Sequence, residues 1–463
     1  MLFSTVQFFI FFAVVLTLYY ASPRSFRKPI LLAASYFFYM CWNPKFILLL
    51  MTLTGIDFAA GLWLSRVRPE RRKLVLILSL AANIGFLGFF KYYNFLAGML
   101  AKLLGRPSNS FFLDVILPLG ISFHTFQSMS YVIDVYRGDQ PPIRNLLDYA
   151  LFISFFPQLV AGPIVRAQEF FKDLYNWRRP TAEEFQNGAL LVGLGLVKKM
   201  ALADQFAQVA DAYFKNVAAN PGMLTAWSGT LAFAMQIYFD FSGYTDMAIG
   251  MAGILGFHFP VNFRRPYLSA SITEFWQRWH ISLSRWLRDY LYFSLGGFRR
   301  SRWLTYRNLM ITMLLGGLWH GASWNFVLWG GFHGACLGLE RMVWGNRREP
   351  AWWSSLYPLR ALITFTLVCL SWVLFRALNF GDAVFVFRQM FTGAPGKFLL
   401  DSWHVGLIGL SLVLAWKEEK RGWFHRLSRA PAWAYAAAIA GMLLFLEVFG
   451  VTEVSLPFVY FQF

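Results

Sequence analysis

The chain has 463 residues, 57% of them hydrophobic and 19% aromatic, with only 14% charged. That composition excludes a soluble globular protein, and apolar runs near or above ~18 residues, long enough to cross a bilayer as helix, recur along it. The net charge of +18 would suit nucleic acid on a soluble chain. Here Lys and Arg gather between apolar runs, which is the pattern of cytoplasmic loops set against anionic lipid, so membrane lipids and not nucleic acid are the expected partners.

The first span is expected over residues 5–21, followed by Arg24, Arg27 and Lys28. Residues 29–42 and 45–64 come next, then the basic loop SRVRPERRK at 65–73. Both basic stretches share one side if the N-terminus is outside, and that side is cytoplasmic. The N-terminus shows no basic n-region or small-residue cleavage site, so Met1 is expected to begin the mature protein. Residues 74–90 and 92–104 read as apolar segments split by Lys91. Pro118 and Gly120, then Pro157, Gly162 and Pro163, interrupt the next two. Breaks at membrane depth are tolerated only where backbone is buried in protein or lines a cavity, so broken or re-entrant segments are expected here.

Further spans are expected at 188–203 and 224–239, the latter running into 236–250 with Asp240 and Asp246. Acids at that depth pair with a cation or line a polar path. Ser242, Gly243 and Thr245 resemble a helix break whose backbone needs such partners. Residues 272–292 form an amphipathic stretch in which tryptophans alternate with Arg278, Arg285 and Arg288, suited to the headgroup level as an interfacial helix. Its arginines could meet the phosphates of an anionic donor. His258 and His280 read as interfacial, His404 and His425 as loop or headgroup residues. Spans at 309–319, 324–339, 359–374, 405–416 and 433–449 complete an all-α polytopic membrane protein of about eleven transmembrane helices. One membrane domain, 1–463, is expected. Cys41, Cys336 and Cys369 have no disulfide or metal spacing.

The stretch LLGGLWHGASWNFVLWGGFHG, 314–334, places His320 and His333 in an apolar run crowded with glycine. An ionisable group at that depth marks a functional site by default. A neutral imidazole can take a proton from a hydroxyl as it attacks a carbonyl, or it can bridge helices by hydrogen bonds, and both readings stand for His320. His333 follows thirteen positions later, roughly 220° around a continuous helix, so the two converge only if GASWN breaks it. Trp319 and Asn325 flank the first histidine, and His124 could line the same cavity or sit satisfied in the core. No spacing of a metal site is present. The ending PFVYFQF either lies on the lipid surface or tucks inward with Tyr460 presented to the cavity, where its phenol could relay an acyl group.

Five stretches carry a resemblance: LPLGISFHTFQSMSYVIDVYRG, FFPQLVAGPIVR, QIYFDFSGYTDMAIG, SITEFWQRWHISLSRWLRDYLY and GGLWHGASWNFVLWGGFHG. In that order, over roughly 2–345, the chain resembles the membrane-bound O-acyltransferase (MBOAT) family, in the bacterial branch serving alginate O-acetylation and teichoic acid D-alanylation. One departure is His124, where the alginate branch is expected to carry tyrosine. The resemblance implies that His320 is the essential histidine and His333 the second one, with Tyr460 resembling a proposed acyl relay. It implies a multi-pass bacterial inner-membrane enzyme with no permanently bound cofactor. Its donor would be acyl-CoA (acetyl-CoA) or a phosphopantetheine-carried thioester reached from the cytoplasm. It further implies a periplasmic SGNH-like partner and a polysaccharide acceptor of the alginate, cellulose or peptidoglycan type. Asp240, Asp246, Trp319, Asn325 and His124 would support the cavity, and Arg278, Arg285 and Arg288 the donor side. The alternatives are a transporter or flippase of a lipid-linked glycan, favoured by broken helices and buried acids, and an acyltransferase acting on a lipid or protein.

Overall fold

In the computed structural model, the first helix, Val6–Ala21, turns Val6, Ile10, Val14 and Leu18 outward, one per turn, and buries Phe8, Phe12, Val15 and Tyr19. A helix apolar on both faces needs protein on one side and lipid on the other. The structure describes residues 1–160, 162–298, 301–345, 355–422, 426–427, 429–451 and 458–459, and every regular element among them is helical. They form two compact units, residues 1–188 with 248–260, and residues 189–247 with 261–463.

In the first unit the expected break at Lys91 does not occur. Pro69–Leu87 continues through a π-helical turn at Gly88–Tyr92 into Tyr93–Leu103. The turn absorbs the lysine, whose Nζ donates to Ser122 Oγ at 3.5 Å. The breaks marked by proline and glycine are real. Gly120 is left-handed (φ 70°) just before Ile121–Arg137, and any Cβ there would strike the carbonyl of Leu159. Leu146–Ser154 gives way at Phe155 to the single turn Phe156–Leu159, all of it buried. This irregular backbone is walled in by protein, as the bilayer requires.

In the second unit four expectations change. Met223–Leu255 is one helix of 33 residues with no break at Ser242–Thr245. Gly243 serves packing instead: a Cβ there would lie 2.8 Å from the Gly195 carbonyl and 3.1 Å from the Lys199 nitrogen. Small residues let two backbones meet. The stretch 272–292 is not one interfacial helix either. It breaks at His280, left-handed at φ 42°, into Ile272–Arg278 and Ile281–Trp286 with a π-helical continuation. Phe275, Trp279, His280 and Leu283 are buried, so His280 is a core residue. Asn262 Oδ1 holds the corner, accepting from Ser282 N at 3.1 Å and Ser282 Oγ at 2.9 Å. His404 is also buried, in the first turn of Ser402–Arg421, rather than in a loop.

Among the described residues, four helical runs are by themselves long and apolar enough to span a bilayer: Pro44–Leu64, Pro69–Leu103, Tyr357–Arg376 and Ala432–Phe449. The expected eleven counted half-spans. Ile121–Arg137, with 17 residues, is shorter than these runs and buries polar side chains against protein, here His124, Gln127 and Asp134. An amphipathic helix, Phe380–Phe391, was not anticipated.

Candidate active site

The site is built on two helices folded against each other. Arg302–His320 ends at His320, Gly321 is extended (φ −163°), and Trp324–Trp344 begins after Ser323. The GASWN stretch therefore does break the helix. The two segments touch along a glycine seam. A Cβ on Gly317 would overlap the Phe326 carbonyl, and one on Gly330 would overlap that of Met313. No larger residue fits either position without separating the helices.

Folding back brings both histidines onto one indole. The His320 ring lies 5.0 Å from Trp329, edge to face, and His333 lies 4.8 Å from the same ring. Trp319 at 4.9 Å and Phe375 at 5.3 Å complete the box around His320, and Trp372 stacks behind Trp329 at 6.0 Å. His320 keeps 4% of its surface accessible and His333 keeps none. Both rings are therefore buried side chains of the paired helices.

The hydrogen bonds of His333 specify its tautomer. Trp276 Nε1, which can only donate, gives its hydrogen to His333 Nδ1 at 3.3 Å. Ser371 Oγ donates to the Val368 carbonyl at 2.7 Å, so it accepts from His333 Nε2 at 3.0 Å. Both ring nitrogens are thereby committed within the fold. Trp276 is itself positioned by capping of its short helix. The Glu340 carboxylate accepts from Ile272 N at 2.5 Å and Thr273 N at 2.9 Å, an acid at a helix N-terminus where it belongs.

The remaining predicted residues fall into place as follows. Asn325 donates to the Ala377 carbonyl at 3.1 Å and so braces the segment after His320. Asp246 pairs with Lys198 at 2.6 Å. Asp240 pairs with Lys199 at 2.9 Å, and Lys199 also holds Asp204 at 2.7 Å. Arg278 is engaged by Glu274 at 2.6 Å and Glu419 at 3.2 Å, and Arg288 by Asp289 at 2.6 Å. Arg285 is exposed and forms no ion pair among the described residues. His124 belongs to the first unit and is buried at 1%, with neither ring nitrogen bonded among the described residues. Tyr460 and His425 lie outside the described residues. Phe458 and Val459, immediately before Tyr460, are fully buried.

Sequence reasoning missed Lys198, Lys199, Trp276, Glu340 and Ser371. The two lysines sat inside a segment read as a span, and an unexplained cation in an apolar run was the available signal. The partners of His333 come from sequence positions 57 and 38 residues away, and no local pattern announces them.

Comparison with known proteins follows this geometry. The model of the membrane-bound O-acyltransferase family, MBOAT, matches residues 140–380. Over 423 residues, 89% of this chain and 79% of the relative, the chain is 46% identical to a Pseudomonas aeruginosa protein named "Probable alginate O-acetylase AlgI". It is 38% identical to the peptidoglycan O-acetyltransferase of Helicobacter pylori, covering 86% of this chain and 77% of that one. It is 29% identical to the teichoic acid D-alanyltransferase of Bacillus subtilis over 58% of this chain and 70% of the relative. An integral membrane acyltransferase is the class these matches and this fold define. The chain belongs to the MBOAT family, in its alginate O-acetylase-like branch.

Proposed function

We propose that the protein is an inner-membrane O-acetyltransferase that carries an acetyl group from a cytoplasmic thioester, acetyl-CoA or a phosphopantetheine-borne donor, toward a polysaccharide outside the cytoplasm. His320 is the general base. It takes the proton of an attacking hydroxyl while that oxygen adds to the thioester carbonyl. The carbon–sulfur bond then breaks, and the imidazolium returns the proton to the leaving thiolate. The observation that carries this reading is the contrast between the two histidines. His333 has both nitrogens committed to Trp276 and Ser371, whereas His320 stands at the end of a helix inside an aromatic box. The carbonyl end of that helix favours positive charge, which the imidazolium acquires in the reaction. His333 is accordingly a positioning residue that orients Trp329, the wall both rings share.

The acceptor class is supported by the names of the alginate and peptidoglycan relatives. Tyr460 is proposed as the first acceptor, its phenol passing the acetyl group to a periplasmic SGNH-like partner and thence to the glycan. Arg285 is the donor-side cation best placed to meet phosphate, because Arg278 and Arg288 already have carboxylate partners.

The test uses purified protein in nanodiscs with acetyl-CoA, following thiol release and acetyl on the protein. His320→Ala is expected to fold and to lose about 10²- to 10⁴-fold in turnover, the usual worth of a general base. A folded His320→Ala protein that releases thiol at the wild-type rate ends the assignment. Mass spectrometry of the C-terminal peptide should show acetyl on Tyr460. Full activity in Tyr460→Phe rejects the relay.

A further inference from the structure

A buried charge cluster stands apart from the histidines and has no role in the chemistry just described. Lys199 lies between two carboxylates, Asp204 at 2.7 Å and Asp240 at 2.9 Å, and all three side chains are at most 5% exposed. One ammonium cannot saturate two carboxylates, and a buried carboxylate oxygen without a donor is costly. The missing donor comes from the far end of the chain. Val459 N–H donates to Asp240 Oδ2 at 2.6 Å, while Asp240 Oδ1 faces Lys199.

The residue before it fills an aromatic socket next to the cluster. The Phe458 ring is fully buried, 4.7 Å from Tyr244 and 5.5 Å from Phe241. Ring contacts lead onward to the site. Phe241 meets His280 edge-on at 4.7 Å, His280 lies 6.3 Å from Trp319, and Trp319 lies 4.9 Å from His320. The preceding helix is fastened to the same region. Gln205 Nε2 donates to the Phe449 carbonyl at 2.8 Å, and Val451 N donates to the Met200 carbonyl at 3.1 Å.

We infer that the Lys199–Asp240 pair with the Phe241–Tyr244 socket is a built seat for the C-terminal segment, so that Asp240 is a positioning residue for the tail. The lysine balances the carboxylate's negative charge at one oxygen, and the second oxygen accepts from a tail amide, which fixes the register of the chain at Val459. Its use in acyl transfer rests on the proposed role of Tyr460, the next residue. The seat itself stands on the contacts of Phe458 and Val459.

The seat predicts which property of Asp240 matters. Asp240→Asn keeps an oxygen for Val459 and leaves Lys199 balanced by Asp204 alone. Asp240→Leu removes the acceptor. Val459→Pro removes the donor and leaves the cluster intact. The measurement is hydrogen–deuterium exchange of the C-terminal peptide in the full-length protein in nanodiscs, with acetyl transfer read in parallel. Exchange is expected to rise about tenfold or more in Asp240→Leu and in Val459→Pro, and to stay within about threefold of wild type in Asp240→Asn. Should Asp240→Leu fail to fold, Val459→Pro carries the test, since it alters nothing in the core helices. Unchanged exchange in the folded Leu and Pro variants overturns the seat whatever the activity does. Faster exchange with full acetyl transfer establishes the seat and removes the relay, so the two ideas fail separately.

Discussion

His333→Ala separates a positioning histidine from a catalytic one. The substitution deletes two interhelical hydrogen bonds, from Trp276 and to Ser371, and empties the space of a fully buried ring. Interhelical hydrogen bonds in membrane proteins average ~0.6 kcal/mol and reach ~1.7, so the two together contribute about 1–3 kcal/mol. Truncating a buried side chain of this size adds about 2 kcal/mol, the low end for large-to-small core changes. A loss of about 3–5 kcal/mol is therefore expected, visible as a lower unfolding temperature in detergent. His320→Ala also empties a buried ring and should cost a similar cavity term, so turnover and not stability is the readout that separates the two histidines. His333→Asn can place its Oδ1 where Nδ1 stood, keep the Trp276 hydrogen bond and recover about half of the stability. Turnover should follow the same order, Asn above Ala, with KM for the donor nearly constant. If His333→Ala kept wild-type stability yet lost turnover as completely as His320→Ala, the committed-nitrogen argument would be wrong and His333 would touch the reacting atoms.

Three further outcomes follow from the same geometry. Gly330→Val should push the paired helices apart through the Met313 carbonyl and cost about 1–3 kcal/mol as overpacking does, with activity falling further than stability; an active, stable variant would show that the seam does not position His320. Arg285→Ala should raise KM for acetyl-CoA about tenfold with kcat unchanged, whereas Arg278→Ala should lower stability because it removes the cation that bridges Glu274 and Glu419 and leaves Glu419 to Arg265; equal KM effects in both would deny Arg285 a special place. At the exposed edge of the first unit the Arg178 guanidinium holds the Glu184 carboxyl down at about 2, against its ordinary 4.5. That pair's stabilisation is complete above pH 4.5 and fades as pH falls through about 2, so Glu184→Gln should flatten the acid limb of stability between those values, and an unchanged limb contradicts the pairing.

The sequence was most informative where a local rule operates. The apolar runs, the prolines and glycines around 118–120 and 157–163, and the histidine in WHG are each legible within about twenty residues. Reading failed where a distant partner decides. Ser242–Gly243–Thr245 carries the composition of a break, yet Gly243 is helical because a second helix with Gly195 lies against it. The 272–292 stretch has the periodicity of one amphipathic helix, yet Asn262 captures Ser282 and turns the chain at His280. Neither partner is close enough in sequence to enter a periodicity argument.

Charge is the clearest case of this limit. A hydropathy reading treats each buried charge as a penalty, and on that count Lys198, Lys199, Asp240 and Asp246 weaken the spans that contain them. In the structure they stand on two glycine-apposed helices and neutralise one another across the interface, Lys198 with Asp246 and Lys199 with Asp240. The desolvation cost of each is offset in large part by the partner across the interface, so the pairing selects one register of the two helices. A shift of one helix by a turn would break both pairs and would move Gly243 off Gly195. The charges that make these helices poor candidates for lone spans are thus what fixes their alignment, and through Phe241 and His280 that alignment reaches the ring of His320.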